Sequence, residues 1–403
     1  MPHDPLFLPA GMRGPIAFGR PDGTAETEQL GAILDIVYLR SPEEGRRWLD
    51  RTDPDHLRVL RTGGTVVGGM RVWPLGQWYG GRPVPMWGVA SVAVDPAHRA
   101  SGFATGMMRS SLEEMHSAGA ALSALYPATQ PVYRRTGWEL AGTWTRFRLP
   151  AAAIDVRDRE LDIRRVDAGD GVFKQLYDRR AAASNGHLAR TEAYWRFVQS
   201  PRSEETVHRY VVERDGRPEG YVVFTQDREG AWRYNLNCRD VVATSPAAAR
   251  RLWTFFADHR SFSEDVTWSG SGSDPMLFVL REQEWKAPRS WTWMLRIVDV
   301  KAALSERGYP AGMEAEVHLD VRDDVCGWNE GRWVLSVAGG RGQVRKGGRG
   351  RLRIDVRGLA SLYSGFSTGS ELVATGYAEG REGDLAAATA AFSGPAPVLP
   401  DFF

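Results

Sequence analysis

Two periods of hydrophobic and polar residues alternate along this chain. From Glu26 to Trp48, the residues Leu30, Ile33, Leu34, Ile36, Val37 and Trp48 recur at helical spacing among charges, predicting one amphipathic helix. Extended runs at 57–61 and 65–72 then flank Gly63-Gly64, a hairpin signature. Residues 86–96, MWGVASVAVDP, read as a mostly buried strand. The loop after it opens into a helix whose Phe103, Met107, Met108, Leu112 and Met115 share one face, with Arg109, Glu113 and Glu114 off it. ALSALYP (121–127) is another strand. VYRRTGWELAG is a short helix stopped at Gly137 that turns back into a strand, and TWTRFRLPAAAI closes the unit near residue 150.

The middle third repeats this grammar. TEAYWRFVQS is helical, RYVVERDGRPEGYVVFTQ is a hairpin around Asp215-Gly216, and NLNCRDVVA is a strand. Residues 245–259 form a helix capped by Ser245 with Pro246 in its first turn, and EDVTWSG is a further strand. Hairpin, strand, helix and strand thus occur twice in the same order, which points to an internal duplication. At 291–310 a strand runs into a helix and marks a third unit. There RLRIDVRG reads as a strand with Leu352, Ile354 and Val356 on one face, and GDLAAATAAF as a helix stopped by Gly394-Pro395. The basic run RGQVRKGGRGRLRI reads as an exposed hairpin with Gly347-Gly348 at its tip. The expected division is 1–150, 151–292 and 293–403.

Composition narrows the function classes. The 403 residues carry 51 basic and 50 acidic side chains, a net charge of +1, so nothing global advertises a nucleic-acid or anionic-membrane partner. Cys238 and Cys326 are the only cysteines, which fits neither a disulfide framework nor a metal cluster; the expectation is the reducing cytoplasm and no metal. The opening MPHDPLFLPAG lacks the basic and apolar segments of a signal peptide, and no apolar run approaches a membrane span.

The most informative stretch is SVAVDPAHRASGFATGMM, from Ser91 to Met108. A strand stops at Asp95-Pro96, and a small-residue loop becomes the first turn of a helix. Unpaired N–H groups and a partial positive charge at such a turn bind phosphate, with Gly102 and Ala104 leaving room and Arg99 adding charge. The matching DVVATSPAAARRL of the middle third has no such glycine, so one copy reads as competent and the other as silent.

VAVDPAHRASGFATGMM followed by ALYPATQPVYRRTGWELAG resembles an acetyl-CoA-dependent acyltransferase of the GNAT superfamily. With WMLRIVDVKAAL, a sheet-rich last third and an aromatic C-terminus, the whole chain resembles the Eis (enhanced intracellular survival) family of N-acetyltransferases. The resemblance implies an α/β (α+β) fold of tandem GNAT domains, the second degenerate, then a sterol-carrier-protein-like domain, assembled as a homohexamer. It places the cofactor on Val92, Ala93 and Val94, on the loop Arg99, Ala100, Ser101, Gly102, Phe103, Ala104 and Thr105, and beside Ala128 and Thr129. The family's loops are richer in arginine where this chain has Ala100 and Ser101.

Acetyl transfer from a thioester to an amine needs a deprotonated amine and a protonated leaving thiol. Tyr126 and Tyr133 compete as the acid; the family's donor is the tyrosine of VYRRTGW, which is Tyr133. No histidine pair stands out as a base. The resemblance supplies the C-terminal carboxylate instead, carried here by Phe403 at the end of PVLPDFF. With an ordinary pKa of about 3.5 it is a weak base that burial would strengthen. Trp48 is a candidate wall for the acceptor, whose implied class is a primary amine of a small polyamine such as an aminoglycoside, or a lysine side chain. Asp35, Glu43, Glu44 and Asp50 lie in the region that holds polyamines in some members, without a residue-by-residue match. The alternative reading is a non-catalytic CoA- or lipid-binding scaffold on a spent fold.

Overall fold

The computed structural model describes residues 16–230 and 232–403. The opening MPHDPLFLPAG lies outside the described residues. The first unit contributes β1 (Ile16–Gly19), β2 (Leu57–Thr62), β3 (Thr65–Tyr79), β4 (Arg82–Val94), β5 (Leu122–Leu125) and β6 (Glu139–Pro150). Its helices are α1 (Gly23–Tyr38), α2 (Pro42–Asp50), α3 (Phe103–Ser117) and α4 (Gln130–Arg134). The middle unit has β7 (Asp162–Arg165), β8 (Leu188–Ala189), β9 (His208–Arg214), β10 (Arg217–Glu229), β11 (Arg233–Ala243), β12 (Ser263–Gly270) and β13 (Lys286–Ile297), with helices α5 (Val172–Ala182), α6 (Glu192–Gln199) and α7 (Pro246–Asp258).

All thirteen strands form one continuous sheet, in the order β1-β2-β3-β4-β5-β13-β6-β12-β11-β10-β9-β7, with β8 paired to β3. The duplicated grammar is visible in the pairing. β4 runs parallel to β5 across α3, and β11 runs parallel to β12 across α7. The units also exchange their closing strands: β13 pairs with β5, while β6 pairs with β12. Such an exchange buries both closing strands centrally and makes the two units one sheet.

The helix predicted from Glu26 to Trp48 is two helices. Leu39 takes a left-handed φ of 52° and closes α1, and Ser41 then caps α2 in a capping box with Glu44 while Pro42 occupies its first turn. Apolar periodicity continued across this break because both helices pack on the same side of β3.

The last unit holds α8 (Val300–Glu306), β14 (Ala315–Arg322), β15 (Gly331–Ala338), β16 (Arg341–Lys346), β17 (Leu352–Asp355), α9 (Val356–Ser364), α10 (Gly369–Ala374), β18 (Ala378–Glu379) and α11 (Glu382–Ala391). Its sheet order is β16-β15-β14-β17-β18. Two expectations are corrected here. Gly347-Gly348 is no hairpin tip: β16 turns on β15 through Gly339-Gly340, and β17 crosses to lie parallel to β14. Val356 begins α9 instead of ending a strand, because Asp355 caps that helix through the Arg357 N–H. The strand expected to open this unit, β13, belongs to the large sheet.

The last unit is not a separate bead. Trp73, Tyr79 and Leu295 of the large sheet share one apolar cluster with Leu319, Leu335 and Leu359. Arg296 and Asp323, both with fully buried side chains, add an ion pair across the junction in which Nη2 donates to both carboxylate oxygens at 2.8 Å.

Candidate active site

The geometry of β4 is set by where its neighbours leave it. Its parallel ladder with β5 ends at Val89↔Leu125, and beyond it the two strands part. On the other edge the register with β3 slips between Gly69 and Arg71, and Ser91 takes a left-handed φ of 51° at that bulge. Val92, Ala93 and Val94 therefore offer a backbone edge toward the gap.

The chain then turns through Pro96–His98 into the loop. Ala100 (φ 61°) and Gly102 (φ 77°) are both left-handed, and no side chain caps α3. The first intrahelical bond at this end runs from the Gly106 N–H to the Gly102 carbonyl, so the N–H groups of Phe103, Ala104 and Thr105 are free of helical partners. A Cβ at Gly106 meets nothing within 4 Å. Phe103 is buried under α3, edge-on to His98. Arg99, Ala100 and Ser101 are exposed at the lip, as are Ala128 and Thr129 across the gap before α4. A free strand edge, an uncapped 15-residue helix and a small-residue turn suit an extended pantetheine arm ending in a pyrophosphate.

The two tyrosines have different surroundings. Tyr133, in α4, is buried in the cluster that contains Val89, Phe103 and Met107, and its hydroxyl has no hydrogen bond among the described residues. Burial, with the nearby Tyr38, pushes its pKa up, so the phenol keeps its proton. Tyr126 instead donates to the carbonyls of Leu399 (2.7 Å) and Asp401 (3.0 Å). Its hydrogen belongs to the tail.

The C-terminal tail threads between the first two units. Val398 donates to the Asn185 carbonyl, Leu399 to that of Thr143, and the Trp144 indole to that of Pro400. Asp401, which sequence reasoning passed over, is the anchor. Its carboxylate is buried and takes two bonds from Arg190 (2.7 and 3.3 Å) and one from the Tyr177 hydroxyl (3.1 Å). Arg190 also bonds Asp240 and lies 3.8 Å over the Tyr177 ring. Desolvation raises the pKa of Asp401 and Arg190 opposes it. Phe402 packs on Tyr126, Trp144 and Trp291. Phe403 then lies on β4: a Cβ at Gly88 would come within 2.7 Å of its ring.

The tail thereby reaches the strand that carries Val92, Ala93 and Val94, the residues expected to hold the cofactor. Tyr133 packs in the cluster under α3, and Phe403 packs with the cluster on the opposite face, to which Ala90 belongs. The site residues of the first unit are gathered around the β4–β5 gap, with Tyr133 and Phe403 approaching β4 from its two faces.

Comparison with known proteins identifies the domains. Acetyltransferase (GNAT) domain families match residues 20–141 and 186–297, and a sterol carrier protein domain family matches 300–400. An N-acetyltransferase of Streptomyces avermitilis is 31% identical, with 90% of this chain and 92% of that protein covered. The N-acetyltransferase Eis of Mycobacterium tuberculosis is 25% identical, with 93% and 95% covered. The crystal structure of a GCN5-related N-acetyltransferase from Anabaena variabilis superposes with a TM-score of 0.92 at 36% identity, covering 96% of this chain and all of that one.

The chain belongs to the Eis-like N-acetyltransferases of the GNAT superfamily. Like other acetyltransferases of this kind, it takes its acetyl group from acetyl-CoA. Two GNAT domains precede the sterol-carrier-protein-like domain, as the resemblance implied. The second GNAT domain has no open cradle, for visible reasons. Helix α7 begins with Pro246, which has no N–H, and the Ser245 hydroxyl already accepts from the Ala248 N–H. The gap beside β11 and β12 is reduced to about 30 Å³, lined by Asp240, Ser269 and Gly270 and closed by Arg190, Val398 and Pro400. The place that is an open gap between β4 and β5 in the first domain is filled by Arg190 and the tail in the second.

Trp48 forms part of a cleft at the α1–α2 turn with Tyr38, Arg40 and Arg51. The acidic residues of that region do not converge on it as a group. Glu43 pairs with Arg46, and Asp35 is packed under Gly45. Glu44 reaches the cleft wall while tied into its capping box, and Asp50 is exposed at the end of α2.

Proposed function

We propose that this protein moves an acetyl group from acetyl-CoA to a primary amine, with Tyr133 as general acid and the C-terminal carboxylate of Phe403 as general base. Acetyl-CoA supplies the thioester. Residues 92–94 pair with its arm, and the N–H groups of Phe103, Ala104 and Thr105, with Arg99, hold its phosphates. The carboxylate takes the proton that the attacking amine must lose, and the Tyr133 phenol protonates the departing sulfur. The single observation that carries this reading is the seating of the tail: beyond a buried Arg190–Asp401 pair, Phe402 packs on Tyr126, Trp144 and Trp291 and Phe403 lies against β4. Tyr126, committed to two tail carbonyls, is the poorer acid.

The acceptors implied by the resemblance, an aminoglycoside-like polyamine or a lysine side chain, enter as members of the primary-amine class. The domain limits 1–150, 151–292 and 293–403 belong to the same proposal, as do a homohexamer, a cytoplasmic location and no nucleic-acid partner. Both cysteines are free and buried, which suits a reducing compartment. Thiol release from acetyl-CoA, followed against a panel of amines, tests the reading. Turnover with at least one primary amine is expected. Tight acetyl-CoA binding with no turnover on any amine refutes it.

A further inference from the structure

The face of β3 opposite α3 carries an unusual concentration of guanidinium groups. Met70 and Val72 point to the α3 cluster, so Arg71 and Trp73 face the other way, toward α2 and α6. There a cavity of about 280 Å³ is lined by Arg51, Arg71, Arg196 and Arg202, with Trp73 and Phe197 as apolar walls. It shares Arg51 and Arg202 with the neighbouring cleft of about 320 Å³, where Arg40, Arg47 and Trp48 stand.

Among the described residues none of these six arginines forms an ion pair with a carboxylate, whereas the buried Arg58, Arg190 and Arg296 do, and the buried Arg251 and Arg307 donate to backbone carbonyls. The carboxylates on the walls are two. Asp53 caps its own turn by accepting from the Asp55 N–H, and Glu44 is held in the α2 capping box. Arg71 is the decisive member. It is only 7% exposed and its Nε has no partner, while its guanidinium lies 3.9 Å over the Trp73 ring. His56 on the same wall also has an unpartnered Nδ1. Burying a cation beside other cations without a counter-ion is costly, and natural interiors avoid it unless something anionic completes the site.

The cofactor's phosphates do not explain these charges, because the loop that would hold them leads into α3 on the other face of the sheet. The cationic wall instead reaches β4 through Tyr38. Arg40 lies over the rings of Tyr38 (5.4 Å) and Trp48 (4.6 Å), and the Tyr38 hydroxyl donates to the Val92 carbonyl on β4 (3.1 Å).

We infer that the acceptor of this enzyme is an amine that also bears an oxyanion, a carboxylate or phosphate, on a flat apolar body, with Arg71 and Arg51 receiving the anion between Trp73 and Phe197. Planar guanidinium forks match such anions, and the aromatic walls match a ring. A polycation such as an aminoglycoside meets the wrong sign of charge here. The inference rests on the acetyltransferase reading for the word acceptor, but the anion site stands on its own residues.

Binding to the acetyl-CoA-free protein separates the two. Two probes differ only in the anion: 4-(aminomethyl)benzoate and its methyl ester. Calorimetry is expected to give the carboxylate a Kd at least tenfold below that of the ester. Arg71→Gln is expected to bring the two within about twofold of each other. The exposed Arg51→Gln, which leaves the core untouched, lowers the ratio at least threefold and keeps the test open should the Arg71 variant misfold. Equal binding of both probes, or tighter binding of spermine than of the carboxylate, overturns the anion site. A clear carboxylate preference without acetylation of the bound probe upholds the anion site and refutes its assignment to the acceptor, while the acetyltransferase reading falls only if no amine of the wider panel turns over.

Discussion

Asp401→Asn isolates the device that seats the tail. The substitution keeps the shape of the side chain but removes a charge that accepts three hydrogen bonds, two of them from Arg190, whose side chain is only 1% exposed. Hydrogen bonds to charged groups contribute roughly 1.5–3 kcal/mol each, and an amide can still accept one of the three. The expected loss is about 2–4 kcal/mol in tail docking, tempered because Arg190 keeps Asp240. Val398 and Leu399 remain buried and hydrogen-bonded, so the loosening is confined to the last three residues. At about 1.4 kcal/mol per tenfold, the docked population falls by roughly 30- to 1000-fold relative to the undocked one. Two assays read this. Carboxypeptidase should trim Phe403 and Phe402 from the variant much faster than from the parent, while urea unfolding of the remaining core stays close to the parent curve. Steady-state kcat should drop by about tenfold or more, with acetyl-CoA affinity retained. A variant with parental turnover and parental resistance to trimming would refute the anchor.

Other outcomes follow from the same geometry. Tyr133→Phe removes a buried phenol that packs well and bonds nothing, so stability changes by less than about 1 kcal/mol while kcat falls at least 100-fold, measured by thermal melting and thiol release. Gly102→Val forces a β-branched residue to φ 77° at the start of α3, and it is expected to raise the KM for acetyl-CoA more than it lowers kcat. Arg71→Met tests the cost of the unpaired cation. Burial lowers the pKa of Arg71 well below the ordinary guanidinium range to about 10, a difference of about 3 kcal/mol between its charged and neutral forms. A guanidinium depressed in this way destabilises the fold across neutral pH, where it is charged, so the methionine variant should melt no lower than the parent and up to several degrees higher.

Sequence legibility differed between elements for physical reasons. The loop from Arg99 to Thr105 and its flanking strand and helix could be read because local φ, small side chains and amphipathic period all act within about twenty residues. The break at Leu39 was hidden because the apolar stripe of α1 continues into α2, and only Ser41-Pro42 with Glu44 betrays the new cap. The tail's aromatic end was legible, but its anchor was not: Arg190 and Asp401 are 211 residues apart, and neither stands in a motif. A single acidic residue next to two phenylalanines, in a segment already suspected of burial, was the available signal. The arginine wall was equally silent, since Arg51, Arg71, Arg196 and Arg202 come from two domains and meet only through the continuous sheet. Acidic residues in the right region drew attention to a polyamine site, while the side chains that face the cavity carry the opposite charge.

The central claim is that a carboxylate at Phe403 is the catalytic base, and adding one glycine after Phe403 tests it most directly. The extension leaves both rings, Asp401 and every tail hydrogen bond in place while moving the carboxylate by one residue, about 3.5 Å along the chain. Loss of at least 100-fold in kcat, with unchanged acetyl-CoA binding and an unchanged melting curve, is the predicted result. Parental turnover from the extended protein would contradict it.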